Sequence, residues 1–387
     1  MTALKDALII IPTDMPWEWS TDYINQTATI LSNTNTVICF FSHTFLSYKE
    51  VLVQGQLRKI WKKFSNNQYH YTCFQILPFR RFQAVDHVNF WLNCFVLKCI
   101  IYLLGIRNTF KKKVLWIFHP RFAQLPGIFG RSFLSIYDCV DYFQGDKLPM
   151  IEKLVIKHSN RLLIEKCDFV CVNSGALYKK FSVIRKDICI VPQGFRYDSF
   201  KHIVVSPISI PHDKPVIGYV GGINNRLNFT LLNNIIQTNK NYLFVLVGSV
   251  LKDVDELKTR KFFSQLKKYA NVLTYESVSK KYIPGIIRQF DIGIIPYNSS
   301  IAFNYYCYPM KLFEYFYMGK PVISTPIDEL MRFPKYVKIG RTEEEWKKHM
   351  RMLLLKPWPH IYRTKQKNLS IANSWEMKIN MIVMNIL

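Results

Sequence analysis

Runs of five to seven mostly apolar residues recur along the chain between longer stretches of helical spacing, and each run reads as a short buried strand. They fall at 7–12, 36–41, 114–118, 135–140, 167–173 and 188–192, and then at 215–220, 243–248, 271–275 and 291–296. Helices are predicted from near Ser20, over about 147–166, after Ser174 as an N-cap, and twice from Glu343 onward, the last over about 375–387. Strand and helix therefore alternate, which points to an α/β protein with doubly wound sheets. At 387 residues the chain exceeds what one core serves, so two domains are expected. The segment 204–215 holds three prolines and few apolar anchors, as a linker does, and the boundary is placed near 195–212.

The stretch 304–325, NYYCYPMKLFEYFYMGKPVIST, organises the rest. Pro309 suits the first helical position and Gly319 the left-handed residue beyond the last turn, which predicts a helix over about 309–318. Lys311, Glu314, Tyr315 and Met318 then share one face, while Leu312, Phe313 and Phe316 point into the core. A further buried strand starts at Pro321, so the helix sits beside the carboxyl ends of a sheet, where doubly wound folds bind ligands. A phosphate there would meet free backbone N–H groups and the Lys311 ammonium, and Glu314, one turn on, would accept two sugar hydroxyls.

The string YPMKLFEYFYMGKPVIST resembles the donor-binding segment of GT-B glycosyltransferases, specifically the bacterial polysaccharide and teichuronic-acid type, similar to family 4. In that family a Lys and a Glu on this helix contact the diphosphate and ribose of a nucleotide sugar. The resemblance implies those roles for Lys311 and Glu314, with Pro309 and Tyr315 beside them. Family 4 members carry another Glu eight residues earlier, where this chain has Tyr306. Two Rossmann-like domains facing a cleft are implied: 1–200 for the acceptor, 201–370 for the donor, and a terminal helix, 371–387, crossing back to the first. The turn Gln193-Gly194-Phe195 is similar to the one with which such enzymes leave their first domain.

Loops at strand ends carry the remaining candidates. After the first strand, Trp17 and Trp19 either stack on acceptor sugar rings or cap the core. His119 ends the strand at 114–118 and faces the cleft; Asp138 lies within the strand at 135–140 and Asp141 just past it. In the resembling family an acidic residue of the first domain acts as general base, which nominates Asp141, with His119 as the other candidate. In the second half, Gly221, Gly222 and Arg226 follow the strand at 215–220, where a glycine turn lets phosphate approach the backbone and an arginine pairs with it bidentately. The family often has a Lys near the end of this loop, and Asn228 stands there. Tyr282 or Ile283 would border the base.

Composition narrows this picture. The formal charge is +25, with 25 Lys and Arg against 14 Asp and Glu in residues 1–200 and 27 against 13 in the rest. Basicity spread over both halves fits phosphorylated ligands or an anionic surface, and no RNA-binding signature is visible, so no nucleic-acid partner is expected. The runs RKIWKKF and PFRRF, with the apolar run 90–106, suggest a first domain resting on an anionic membrane. That run is broken by Asn93 and Lys98 and reads as too short and too polar to span a bilayer. Nine cysteines without metal-type spacing read as buried thiols in a reducing cytoplasm, and residues 1–6 lead straight into a strand with no signal peptide expected. The expected protein is a metal-independent, cofactor-free glycosyltransferase of the inner membrane face. It would pass a sugar from a nucleoside-diphosphate donor to a glycan or lipid-linked acceptor. A nucleotide-sugar 2-epimerase of the same fold and a non-catalytic binder of anionic polymer are the alternatives.

Overall fold

The computed structural model describes residues 4–15, 17, 22–47, 49–53, 55–78, 82–107, 110–145, 148–250 and 256–387. The first sheet contains β1 (Ala7–Thr13), β2 (Thr36–Leu46), β3 (Trp61–Lys63), β4 (Gln68–Phe74), β5 (Lys112–Ile117), β6 (Leu134–Cys139), β7 (Phe169–Val172) and β8 (Cys189–Ile190). Their spatial order is β3-β4-β2-β1-β5-β6-β7-β8, parallel throughout except for β3 against β4. The second sheet, order β11-β10-β9-β12-β13-β14, is wholly parallel. Its strands are β9 (Val216–Val220), β10 (Leu243–Val247), β11 (Val272–Tyr275), β12 (Ile292–Ile295), β13 (Val322–Ser324) and β14 (Val337–Ile339). In each sheet the chain winds outward from its first strand and then restarts on the other side. The switch points lie between β1 and β5 and between β9 and β12, and ligand crevices open outside the strand ends there.

The apolar-run pattern misses β3, β4 and β14 for identifiable reasons. β3 is a three-residue edge strand with two lysines, the charged edge that discourages further pairing. β4 buries Gln68 and His70 as a mutually bonded pair, 3.0 Å apart, which hides its burial from a hydrophobicity count. β14 is only three residues long.

The apolar run 90–106 belongs to a 25-residue helix, Gln83–Arg107, which corrects the expectation from sequence: within residues 84–105 its most apolar stretch has mean hydropathy 1.6, and by length and composition the helix is long and apolar enough to cross a membrane. Its asparagines have local work. Asn93 Oδ1 accepts from the Tyr71 hydroxyl and the Phe74 amide at 3.0 Å, and Asn89 Oδ1 accepts from the amides of Ile76 and Leu77. These bonds dock one face of the helix on β4 and leave Trp91, Phe95, Tyr102 and Leu103 exposed on the other. The last helix, Trp375–Met384, returns to the first sheet, where Ile379, Ile382 and Val383 pack in one core with Ile9, Val37 and Trp116.

Candidate functional site

The helix of the organising stretch runs Lys311–Tyr317, two residues shorter at its start than predicted. Pro309 precedes it, and its carbonyl accepts from the Leu312 amide at 3.1 Å in the turn leading in. At the other end Gly319 has φ +65°; the Lys320 amide bonds the Tyr315 carbonyl and the Gly319 amide the Phe316 carbonyl, both at 2.9 Å. This is a Schellman ending, which a residue with a Cβ would strain. It turns the chain directly into β13, so Lys311 and Glu314 are held at the mouth of the second sheet.

Lys311 is the centre of the site. Its Nζ lies 5.4 Å from the Tyr219 ring centre and 5.9 Å from that of Tyr297. The side chain passes over Gly221, whose φ of +146° and missing Cβ make the space: a methyl group there would overlap Lys311 Cε and Nζ. Burial works against the ammonium, but the Tyr219 and Tyr297 phenols and the Glu314 carboxylate outweigh it, and its pKa stands above the ordinary lysine value. Burial raises the Glu314 pKa, and Lys311 opposes the rise. If the cavity takes the nucleoside diphosphate that the resemblance implies, Gly221→Ala is expected to weaken its binding about tenfold, because the lysine must leave its place and the backbone is strained for any L-residue. Calorimetric titration with the nucleotide measures this directly, and unchanged affinity would show that the Gly221–Lys311 contact does not shape the site.

Lys311 and Glu314 line a cavity of about 190 Å³ together with Gly221, Arg196, Lys280 and Asp22. Asp22 starts the first-domain helix Asp22–Leu31. Its carboxylate accepts from Arg196 at 2.6 Å and from Lys280 of the second domain, so a salt bridge spans the cavity between the domains. These three charged residues carry no local signal in the sequence, since a lone Asp, Arg or Lys at the start of a helix or turn is as readily a solvated surface group.

Arg226 also lies against Tyr297, its guanidinium 5.3 Å from that ring centre and 4.1 Å from the ring centre of Phe303. Its Nε donates to Asn304 Oδ1 at 2.9 Å, and the buried Asn304 donates in turn to the carbonyls of Arg226 and Asn298. Burial pulls its pKa down, yet Tyr297, Cys307 and, from the first domain, Asp141 hold it above the ordinary arginine value. Asp141 itself is half-buried just past β6.

The other candidates are placed differently. Tyr315 is fully buried under Gly293; its hydroxyl accepts from the Val220 amide at 3.3 Å and donates to the Ile294 carbonyl, tying the helix to β9 and β12 rather than lining the cavity. The Gly222 carbonyl accepts from the Tyr219 hydroxyl at 2.9 Å. Tyr282 is half-buried with Lys281 over its ring, and its neighbour Ile283 lines the cavity. Asn228 caps the helix Phe229–Thr238 by accepting from the Leu231 amide. His119 caps the turn Pro120–Phe122: Nδ1 accepts from the Arg121 amide at 3.1 Å, so in the neutral ring Nε2 carries the proton and donates, an arrangement at odds with a base. Trp17 packs on Phe64 and His70, at 5.1 and 4.9 Å. Trp19 lies outside the described residues. Tyr306, at the position of the family's earlier Glu, packs on Tyr142 across the cleft at 4.4 Å, and Lys180 Nζ sits 5.0 Å from the Tyr142 ring centre and 5.3 Å from that of Tyr306.

A family model described as glycosyl transferases group 1 matches residues 214–343, the segment that carries Gly221, Arg226, Lys280, Lys311 and Glu314. Residues 214–343 thus resemble a group 1 glycosyltransferase domain. The chain is 27% identical over 234 residues to the putative teichuronic acid biosynthesis glycosyltransferase TuaH of Bacillus subtilis, a match spanning 57% of each protein. Among solved structures it resembles the sucrose-phosphate synthase of Thermosynechococcus elongatus, with TM-score 0.70 and 12% identity over 98% of both chains. It also resembles Anabaena HepE in complex with UDP and glucose, with TM-score 0.64 and 11% identity over 99% of both. The fold is GT-B, and the segment matched by the group 1 model lies in its second half.

Proposed function

We propose that the protein is a glycosyltransferase that moves a sugar from a nucleoside-diphosphate donor to a hydroxyl of a glycan or lipid-linked acceptor, in the synthesis of a cell-surface polysaccharide. The observation that carries this reading is Lys311 lying across Gly221, with Glu314 one turn away, in a cavity at the mouth of the second sheet. The named activity of TuaH and the UDP bound by HepE support the choice of donor and product class.

In this reading Lys311 and Arg226, two half-buried cations that both lie near the Tyr297 ring, stabilise the diphosphate as the glycosidic bond breaks, and no metal ion is needed for that charge. Glu314 accepts the ribose hydroxyls. If the reaction inverts the anomeric centre, Asp141 takes the proton of the acceptor hydroxyl, while His119 donates from Nε2 to a phosphate or sugar oxygen. The first domain works at the cytoplasmic face of a membrane, with the exposed Trp91, Phe95, Tyr102 and Leu103 turned to the lipid.

Incubation of the purified protein with a panel of nucleotide sugars tests the reading. Slow release of one nucleoside diphosphate, faster when a matching acceptor is added, is expected. Binding without release would point to a binding protein, and sugar inversion at C2 without transfer to the epimerase.

A further inference from the structure

A second cavity, of about 450 Å³, opens on the first domain beside the helix Met150–Lys166. Its wall carries Lys157, His158, Arg161 and Lys180, with Leu154 and Phe181 between them. Arg161 shares its charge with Glu165 at 2.7 Å, while Lys157 and Lys180 have no ion-pair partner among the described residues. The helical repeat sets Met150, Ile151, Leu154 and Val155 on the same outward face as His158 and Arg161. Those four apolar residues are 55–79% exposed, an arrangement that costs free energy unless something covers them. The site thus joins a cationic pocket to an apolar ridge.

That combination selects one chemistry. A neutral glycan would leave the lysines unmatched, and a free anion would leave the ridge in water; a phosphorylated single-chain lipid satisfies both. We propose that this cavity binds the phosphate or diphosphate head of a single-chain carrier lipid, with its hydrocarbon lying along Met150, Ile151, Leu154 and Val155. The proposal rests on the reading of the protein as a transferase with a lipid-linked acceptor, and it assigns the acceptor's lipid head to named residues. Lys180 connects the two sites: it lines this cavity and its ammonium lies against Tyr142, the residue after Asp141, and Tyr306 of the group 1 domain. A head held at Lys180 therefore delivers what is attached to it into the cleft.

Titration calorimetry with farnesyl phosphate below its aggregation threshold tests this, with farnesol and inorganic phosphate as separate arms. The wild-type protein is expected to bind farnesyl phosphate at least tenfold more tightly than either. Lys157→Glu combined with Arg161→Glu should weaken it tenfold or more, and Ile151→Ser with Val155→Ser severalfold; all four positions are exposed, so the fold should tolerate both changes. Equal binding of inorganic phosphate, equal binding of farnesol, no binding, or variants that bind like wild type would each overturn the proposal. UDP binding in the same samples reports on the donor cavity: a protein that takes farnesyl phosphate but neither binds nor hydrolyses any nucleotide sugar keeps this site and loses the transferase reading, and the reverse result removes this site alone.

Discussion

Lys311→Met is expected to lower kcat by about 10²- to 10³-fold, with a much smaller change in the donor KM. The substitution keeps the stem that packs over Gly221 and the Tyr219 ring while deleting the charge. In the intact protein that charge is half-buried, pre-positioned and held in the protonated form by the phenols of Tyr219 and Tyr297 and by Glu314, so in the proposed reaction it would contribute without reorganisation when negative charge grows on the departing diphosphate. An interaction of this kind is stronger in the transition state than in the ground state, and its loss falls on kcat. A variant whose KM rises while kcat stays unchanged would make Lys311 a general anchor for the nucleotide. Unchanged kcat/KM would remove it from the site altogether.

The second large effect is on stability. Lys378 Nζ, on the last helix, donates to Asp138 Oδ1 at 2.9 Å, and both side chains are essentially sealed from water, at 1% and 0% exposure. Deleting one partner leaves the other charge buried and unpaired, and among the described residues Asp138 Oδ2 already has no hydrogen-bond partner. Lys378→Met should therefore cost roughly 3–5 kcal/mol. Removing both charges together, as Asp138→Leu with Lys378→Met, should recover most of the loss, because the desolvation penalty of each ion disappears with it. Urea unfolding of the two single variants and the double variant completes the cycle. A loss below about 1 kcal/mol in Lys378→Met would mean that Ile379, Ile382 and Val383 alone hold the helix to the first sheet.

What could be read without coordinates is what local spacing encodes. Buried parallel strands are short apolar runs, and the runs at 7–12, 215–220, 243–248 and 291–296 fall on β1, β9, β10 and β12 within a residue or two. A left-handed helix ending demands glycine, and Gly319 supplies it. The i, i+3 spacing of Lys311 and Glu314 sets them on one helix face, and both border the cavity. Tyr315 shows the limit of the same rule, since spacing names a face and not what covers it; its hydroxyl is taken up by backbone groups of two strands.

The chain by itself determined the alternation of strands and helices, the turn glycines and the cation and acid on the helix before β13, because each depends on neighbours only a few residues away. Only the tertiary structure decided that Asp22 bridges to Lys280, that Lys180 lies between Tyr142 and Tyr306, and that Lys378 meets Asp138 across 240 residues of sequence. Those contacts depend on how two sheets and a returning helix pack together, and single charged or aromatic residues far apart in the chain carry no periodic signal of where packing will bring them.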